Sequence, residues 1–207
     1  MDYNQRAIDG FRPSSIPPGV SGDVSIEKIP MGPSVASLSY IRDGHRNCPV
    51  GEYTVLRIGG ELVMSDTPAE MIDHQRALWN AKGSILINGL GIGMFLDAVL
   101  AKPEVTDVTV VEINQDVIKL VAPYFKDDRV SIVHASAFDY RPPKGKKYHM
   151  VWHDIWNDIT SDNIDDMIRL HRKYSKRAFW QGSWCRQECY ERSMVSSQRR
   201  KAWEIDC

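Results

Sequence analysis

The sequence has no excess of charge of one sign. Among its 207 residues, 26 lysines and arginines balance 27 aspartates and glutamates, for a formal net charge of −1. Proteins that bind nucleic acid usually present a basic surface to the phosphates, so this balance argues against nucleic acid as a partner. A chain of this length can bury an ordinary hydrophobic core, and we expect a globular fold.

Long apolar runs are also missing. The longest, Ile85 to Ala101, is shorter than the roughly 20 residues that a membrane-spanning helix needs, and it contains Asn88, Asp97 and three glycines. The first six residues lack the apolar core of a secretory signal peptide. We therefore expect a cytoplasmic protein that does not enter a membrane.

The sequence has few cysteines, and they are scattered: Cys48, Cys185, Cys189 and Cys207. They do not form the dense pattern of a disulfide framework. Cys185 and Cys189 could share one face of a helix, but two ligands do not complete a metal site and no second pair accompanies them. The sequence therefore predicts unpaired thiols and no metal site.

The stretch from Ser84 to Glu112 contains the strongest pattern in the chain. An apolar run is followed by the turn Asn88-Gly89-Leu90-Gly91-Ile92-Gly93, an amphipathic segment and a second apolar run that ends at Glu112. This order predicts a strand, a glycine turn, a helix and a second strand. Glycines allow a tight turn and a close approach to a ligand, while the helix N-terminus directs N–H groups towards it.

The spacing of the glycines and the acid indicates a nucleoside cofactor. Glu112 follows Gly93 by 19 residues, at the end of the second strand, where a carboxylate can accept both hydroxyl protons of a ribose. Dinucleotide-binding turns usually carry a third small residue, but Met94 stands at that position. The turn therefore favours a cofactor without a pyrophosphate, such as S-adenosylmethionine.

The remaining pattern predicts an α/β fold. Residues 1–22 are rich in proline and glycine and are predicted to form an N-terminal arm, and residues 23–66 a small antiparallel β unit. Residues 67–207 are predicted to form a Rossmann-like domain with a doubly wound, mostly parallel sheet. The predicted strands of the β unit are Val24–Ile29, Val35–Ile41, Tyr53–Ile58 and Glu61–Ser65.

Within the larger domain, helices and strands are expected to alternate. Thr67-Pro68-Ala69-Glu70 has the form of a capping box, which predicts a helix to about Asn80. Further helices are predicted from Asn114 to about Phe125, from Ser161 or Asp162 to about Tyr174, and over residues 183–197. The strands after Glu112 are predicted at Val130–His134, His149–His153 and Arg177–Gln181.

Candidate functional residues lie where the parallel strands are predicted to end. The third strand leads to Ser136 and Ala137, and the fourth leads to Asp154, Trp156 and Asp158. The histidine on the first helix, His74, is expected to be a surface or partly packed residue. His149 and His153 are about 13 Å apart if the strand is extended, so they cannot bind one metal ion.

From Tyr53 to Gln181 the chain resembles class I S-adenosylmethionine-dependent methyltransferases, and within them the spermidine synthase branch. The likeness rests on the preceding hairpin, on the run Val110 to Asn114, and on Ile87 two residues before the first glycine. The resemblance implies that the glycines hold the methionine part, Glu112 the ribose and Ser136-Ala137 the adenine edge. The full set of expected cofactor contacts is Asn88, Gly89, Leu90, Gly91, Gly93, Glu112, Ile113, Ser136, Ala137 and Asp154.

The sequence also departs from the spermidine synthase pattern. Ile92 replaces the aspartate of the glycine turn, and Asp97-Ala98 replaces an Arg-Glu pair. Asp73-His74-Gln75 stands in place of Tyr-His-Glu, Ser136 replaces the aspartate that binds adenine, and the Asp-Ser-x-Asp-Pro pattern is absent. We therefore expect methyl transfer to a small molecule. The alternatives are polyamine aminopropyl transfer with decarboxylated S-adenosylmethionine, and a non-catalytic binding module.

Methyl transfer and aminopropyl transfer are both displacements at a carbon next to a sulfonium sulfur, and the enzyme has to hold the nucleophile in line with the bond that breaks. Asp154 is predicted to be catalytic, because a carboxylate can bind a cationic amine and take its proton. Asp158 is predicted either to bind the far end of the amine or to cap a turn, and Trp156 to wall the substrate pocket. The family resemblance also implies a possible homodimer that forms through the β unit.

Overall fold

The computed structural model describes residues 10–36, 46 and 48–194. It contains two separate sheets. The first is antiparallel, with strands in the order β1-β2-β3-β4. These strands are β1 (Gly19–Ser21), β2 (Val24–Met31), β3 (Gly51–Ile58) and β4 (Glu61–Ser65). The predicted small antiparallel β unit is thus confirmed.

Two details of the antiparallel sheet differ from the prediction. The strand predicted at Val35–Ile41 is wrong at its start, because residues 33–36 are helical, and residues 37–41 lie outside the described part of the chain. Strand β1 lies within the predicted arm, where it pairs with Ser25 and its neighbours in β2. The predicted hairpin at Gly59-Gly60 is present, with positive φ at both glycines.

The second sheet has five parallel strands in the order β7-β6-β5-β8-β9. The strands are β5 (Gly83–Asn88), β6 (Val105–Glu112), β7 (Val130–His134), β8 (Tyr148–His153) and β9 (Ala178–Ser183). Between them lie the helices α1 (Pro68–Asn80), α2 (Met94–Leu100), α3 (Gln115–Val121) and α4 (Asn163–Tyr174). The predicted α/β fold with a parallel sheet is confirmed. Residues 184–185 form a turn and residues 186–194 are helical, so the last predicted helix starts three residues late.

The strands of the parallel sheet are apolar because helices or the second sheet cover both faces. Ile85, Ile87 and Val110 are fully or almost fully buried against α1, α2 and the antiparallel sheet, and Leu86 and Val151 are buried against α4. Within the described residues, no helix is both long and apolar enough to cross a membrane. Because both faces of the sheet are covered, the positions of the strand ends are fixed, and so are the starting points of the loops that follow them.

The N-terminus of α1 does not form the predicted capping box. Pro68 occupies the first turn as expected, but the Thr67 side chain makes no capping hydrogen bond. Its hydroxyl instead lies 3.0 Å from that of Ser65. The Glu70 side chain is therefore not held at the helix end, and it lines a cavity described below.

Candidate functional site

A cavity of about 420 Å³ lies at the carboxyl edge of the parallel sheet. This volume falls within the range of roughly 300–1,000 Å³ typical of small-molecule sites. The antiparallel sheet closes one side through Leu56, Ile58, Val63 and Met64, and the loops after β5, β6, β7 and β8 form the floor. Ligands of open parallel sheets bind at this edge.

The glycine turn after β5 allows its backbone to approach both β8 and the cavity. Gly89 has φ +104°, and a Cβ atom there would overlap the carbonyl oxygen of Asp154. Gly91 has φ +52°, and a Cβ atom there would overlap the sulfur of Met64 across the cavity. A side chain at Gly89 would thus obstruct the contact between the ends of β5 and β8, and a side chain at Gly91 would fill part of the cavity.

Three other residues of the predicted cofactor turn lie beneath the cavity surface. Gly93 begins α2 in a left-handed conformation, where a side chain would meet Phe125. Leu90 is buried, and Asn88 is fully buried with its Nδ2 2.8 Å from His153 Nδ1. The cavity lining contains Gly89 and Gly91 but not these three residues.

Glu112 is held in place by the backbone on both sides of its carboxylate. Its Oε2 accepts a hydrogen bond of 2.8 Å from the N–H of Leu90, and its Oε1 accepts one of 2.7 Å from the N–H of Asn114. Asn114 in turn caps α3 by accepting from the N–H groups of Asp116 and Val117. Glu112 also lines the cavity, so its carboxylate stands in a fixed orientation beside the space where a ligand can bind.

The same end of the cavity carries the predicted adenine-side residues. Ile113 follows Glu112 and is 68% exposed. Ser136, Ala137 and Phe138 line the cavity from the loop after β7. The Ser136 hydroxyl accepts from the N–H of Phe138 and steadies this loop. An apolar platform, a fixed carboxylate and a close backbone therefore meet at one end.

The other end of the cavity, which lies beside β8 on the far side of β5 from Glu112, is also acidic. Asp154, directly after β8, lines it together with Glu70 from α1. Oδ2 of Asp154 lies 2.8 Å from Nε2 of His74, a ring that is fully buried behind the cavity wall. Nδ1 of the same ring lies 2.7 Å from the carbonyl oxygen of Glu70. The expectation that His74 lies at or near the surface is therefore wrong.

The surroundings of His74 favour its charged form. A carbonyl oxygen can only accept, so Nδ1 must carry a proton, and Nε2 faces a carboxylate oxygen that accepts when ionised. Burial lowers the pKa of His74, but the charge of Asp154 and the hydrogen bond to it outweigh burial, and the pKa rises to about 9. His74 is therefore an imidazolium at neutral pH, paired with Asp154.

The surroundings of Glu70 favour its uncharged form, because the side chain lies in a poorly solvated site beside other acids. Burial raises the pKa of Glu70, and Asp73 and Asp154 raise it further, whereas His74 and Arg46 lower it. The result is a pKa of about 7. Near neutral pH this side chain changes its protonation state readily, which suits an acid or base.

Two other predicted substrate residues differ in position. Trp156 lines the cavity beyond the end of β8. Asp158 is exposed and is not part of the lining; its backbone oxygen accepts a hydrogen bond from the side chain of Asn163 at the start of α4. The structure thus brings Trp156 and Asp154 together at the cavity but not Asp158.

The charge of the described lining residues is entirely negative. Four acids contribute to the lining (Glu70, Glu112, Asp154 and Asp166), and no lysine, arginine or histidine does. A site of this kind attracts cationic groups. Both a sulfonium and an amine would be stabilised there.

The sequence reasoning did not identify Glu70 and His74 as site residues. Their spacing of four places them on one face of α1, which a helical pattern could have shown. That this face points towards Asp154 depends on a contact across 80 residues of sequence, for which the chain carries no local signal.

The five-stranded parallel sheet, its flanking helices and the glycine turn beside Glu112 define an α/β Rossmann-like fold. No protein-family model matches the sequence, and no curated protein matches it.

Several solved structures are similar to this chain. A spermidine synthase from Thermotoga maritima is 18% identical, with a TM-score of 0.47; the match covers 79% of this chain and 52% of that one. An S-adenosylmethionine-dependent methyltransferase from Mesorhizobium loti is 14% identical, with a TM-score of 0.39 and coverage of 51% and 48%. A dimethyladenosine transferase from Plasmodium falciparum is 21% identical, with a TM-score of 0.33; the match covers 44% of this chain and 34% of that one. The chain thus spans about half or less of these proteins.

Proposed function

We propose that the protein is an S-adenosylmethionine-dependent transferase that methylates a small molecule bearing an amine. The observation that carries the proposal is that one cavity is lined by Glu112 and the loop after β7 on one side of β5 and by Glu70 and Asp154 on the other. A group transferred from the cofactor to an acceptor has to pass between two such ends.

The residues present at the first end fit the cofactor. Glu112 keeps lone pairs free beyond its two backbone hydrogen bonds, and these can accept the ribose hydroxyls. Ile113 offers an apolar surface to the adenine, and the loop at Ser136 and Ala137 offers polar backbone to its edge. Gly91 leaves room for the methionine part. When bound, S-adenosylmethionine supplies an electrophilic carbon next to its sulfonium sulfur.

The residues at the second end fit a cationic acceptor. Asp154 has a side chain 18% exposed, so one oxygen pairs with His74 while the group still borders the cavity. A protonated amine can pair with such a carboxylate, and Trp156 provides an apolar wall beside it. These residues orient the nitrogen and exclude water, which is most of what a displacement of this kind requires.

A second candidate is aminopropyl transfer from decarboxylated S-adenosylmethionine. The observation in its favour is the absence of a cationic side chain among the described lining residues, since a methionine carboxylate then has only backbone N–H groups to meet it. The departures from the spermidine synthase pattern, including Asp73-His74-Gln75, argue against this candidate.

Calorimetric titration with S-adenosylmethionine and with its decarboxylated form tests both candidates. In Glu112→Ala we expect binding to weaken about 100-fold, because a hydrogen bond to a charged group contributes about 1.5–3 kcal/mol. Glu61→Ala is the matched control, because Glu61 is exposed at the start of β4 and outside the cavity. Thermal melting of each variant separates lost binding from lost folding.

The preferred cofactor decides between the candidates. Tighter binding of the intact cofactor supports methyl transfer, and tighter binding of the decarboxylated form supports aminopropyl transfer. If neither compound binds the folded protein, both enzymatic candidates are wrong, and the fold serves as a binding module.

A further inference from the structure

The acid best placed to accept a proton in the cavity is not the one that the sequence points to. Glu70 lines the cavity from the first turn of α1. Within the described residues its carboxylate makes no hydrogen bond and no ion pair, and it does not cap the helix. A carboxylate that has no hydrogen-bond partner among the described residues, and that borders a ligand cavity, is available to a bound ligand.

Asp154, by contrast, is already engaged. Its Oδ2 accepts from His74 Nε2 at 2.8 Å, and the other ring nitrogen of His74 donates to the Glu70 carbonyl. Both ring nitrogens therefore act as donors, and the ring is positive. Loss of this contact would leave a buried imidazolium without its counter-charge, which is costly.

We propose that Glu70 is the residue that accepts the proton of the acceptor amine, and that His74 is a positioning residue that holds the carboxylate of Asp154 in place to bind the amine. This inference rests on the proposed transferase function. It assigns the two tasks predicted for Asp154, binding the amine and taking its proton, to two different carboxylates.

The step balances without another reactant. An N–H bond of the ammonium breaks and an O–H bond forms on Glu70, so the charges of the ammonium and of the carboxylate both disappear. The nitrogen keeps its electron pair, which forms the new bond to carbon, while the pair of the carbon–sulfur bond leaves with sulfur. Glu70 then releases its proton to solvent through the open cavity.

Several charged groups act on Glu70. On its own helix are Asp73 and His74, opposite it is Asp154, and Arg46 also lowers its pKa. Burial and the two aspartates prevail, and the pKa of about 7 means that Glu70 is largely ionised above neutral pH and largely protonated below it. A reaction that needs ionised Glu70 therefore becomes faster as the pH rises through about 7.

The test measures transfer from the cofactor that binds, with 1,4-diaminobutane and a panel of primary amines as acceptors. We compare the full chain with Glu70→Gln, Glu70→Asp and the control Glu61→Gln between pH 5.5 and 9. We expect Glu70→Gln to lower kcat about 100-fold at pH 8 and to remove the rise with pH, whereas Glu70→Asp restores part of both. Glu61→Gln is expected to behave like the unmodified protein.

A second readout does not depend on turnover. In a carboxyl ¹³C NMR titration, one glutamate resonance is expected to titrate near pH 7, to be absent in Glu70→Gln, and to move to lower pH when 1,4-diaminobutane is added. Cofactor binding and transfer with an unchanged pH profile in Glu70→Gln would overturn this inference alone. If neither cofactor binds, this inference is overturned together with the proposed function.

Discussion

The ion pair between His74 and Asp154 makes the stability of the fold depend on pH in a way that one variant can isolate. The His74 ring is fully buried, and its pKa rises from 6.5 to about 9 in the folded protein. The folded state therefore binds a proton more tightly than the unfolded chain does. The stabilisation is fully present below pH 6.5 and is lost as the pH rises towards 9.

The magnitude follows from the two pKa values. A tenfold change in proton affinity corresponds to about 1.4 kcal/mol, so the difference between 6.5 and about 9 corresponds to roughly 3 kcal/mol. That is a large share of the roughly 5–15 kcal/mol by which most domains are stable. We expect the free energy of unfolding to fall by about this amount between pH 6.5 and pH 9.

Urea unfolding across this range, in the unmodified protein and in His74→Gln, measures the effect. The glutamine keeps a donor for Asp154 but cannot take up a proton, so the loss of stability with pH should be smaller in the variant by roughly 3 kcal/mol. His134→Gln is the control, because His134 is exposed at the end of β7. If the difference in stability between His74→Gln and the unmodified protein stays constant from pH 6 to pH 9, His74 is not a buried imidazolium.

Two further predictions concern other parts of the fold. Burial and nearby positive charges lower the pKa of His153 to about 3 and the pKa of His171 to about 4. The free energy of unfolding should therefore fall as the pH drops from 6.5 towards 4. Urea unfolding of His153→Gln should show a smaller fall over this range, and an equal fall would contradict the assignment. Gly89→Ala should prevent folding or cofactor binding, because the new Cβ atom would overlap the backbone of Asp154. Gly145 also has a positive φ (+82°), but nothing lies within reach of a Cβ atom there, so Gly145→Ala should lower the free energy of unfolding by only about 1–2 kcal/mol through backbone strain. Equal melting temperatures and equal cofactor binding in the two alanine variants would refute the steric argument.

Local patterns in the sequence predicted the parallel part of the fold well. The turn at Gly89 and Gly91 and the strand that ends at Glu112 are specified by residues within 30 positions of one another, and the structure places all three at one cavity. Buried parallel strands also have to be apolar throughout, which makes them easy to recognise. The carboxyl ends of such strands meet at one edge, which is why Asp154 and Glu112 could be placed at the same edge of the sheet.

The features that were missed depend on partners distant in sequence. The three residues of β1 are too few to show a pattern, and they form a strand because β2 pairs with them. Thr67 to Glu70 fits a capping box, yet the cavity offers Glu70 another environment and Thr67 makes no cap. His74 could not be identified because its partner lies 80 residues away.

The position of His74 also explains how the fold tolerates an acid-lined cavity. Glu70 and Asp154 come from different elements and, with Asp73 nearby, would repel one another if all were ionised. The imidazolium lies between the carbonyl of one and the carboxylate of the other, so it offsets this repulsion without occupying the cavity. Removal of the ring should raise the pKa of Glu70 further. Stability and proton transfer are therefore coupled through one buried side chain, and His74→Gln should move the pH profiles of both.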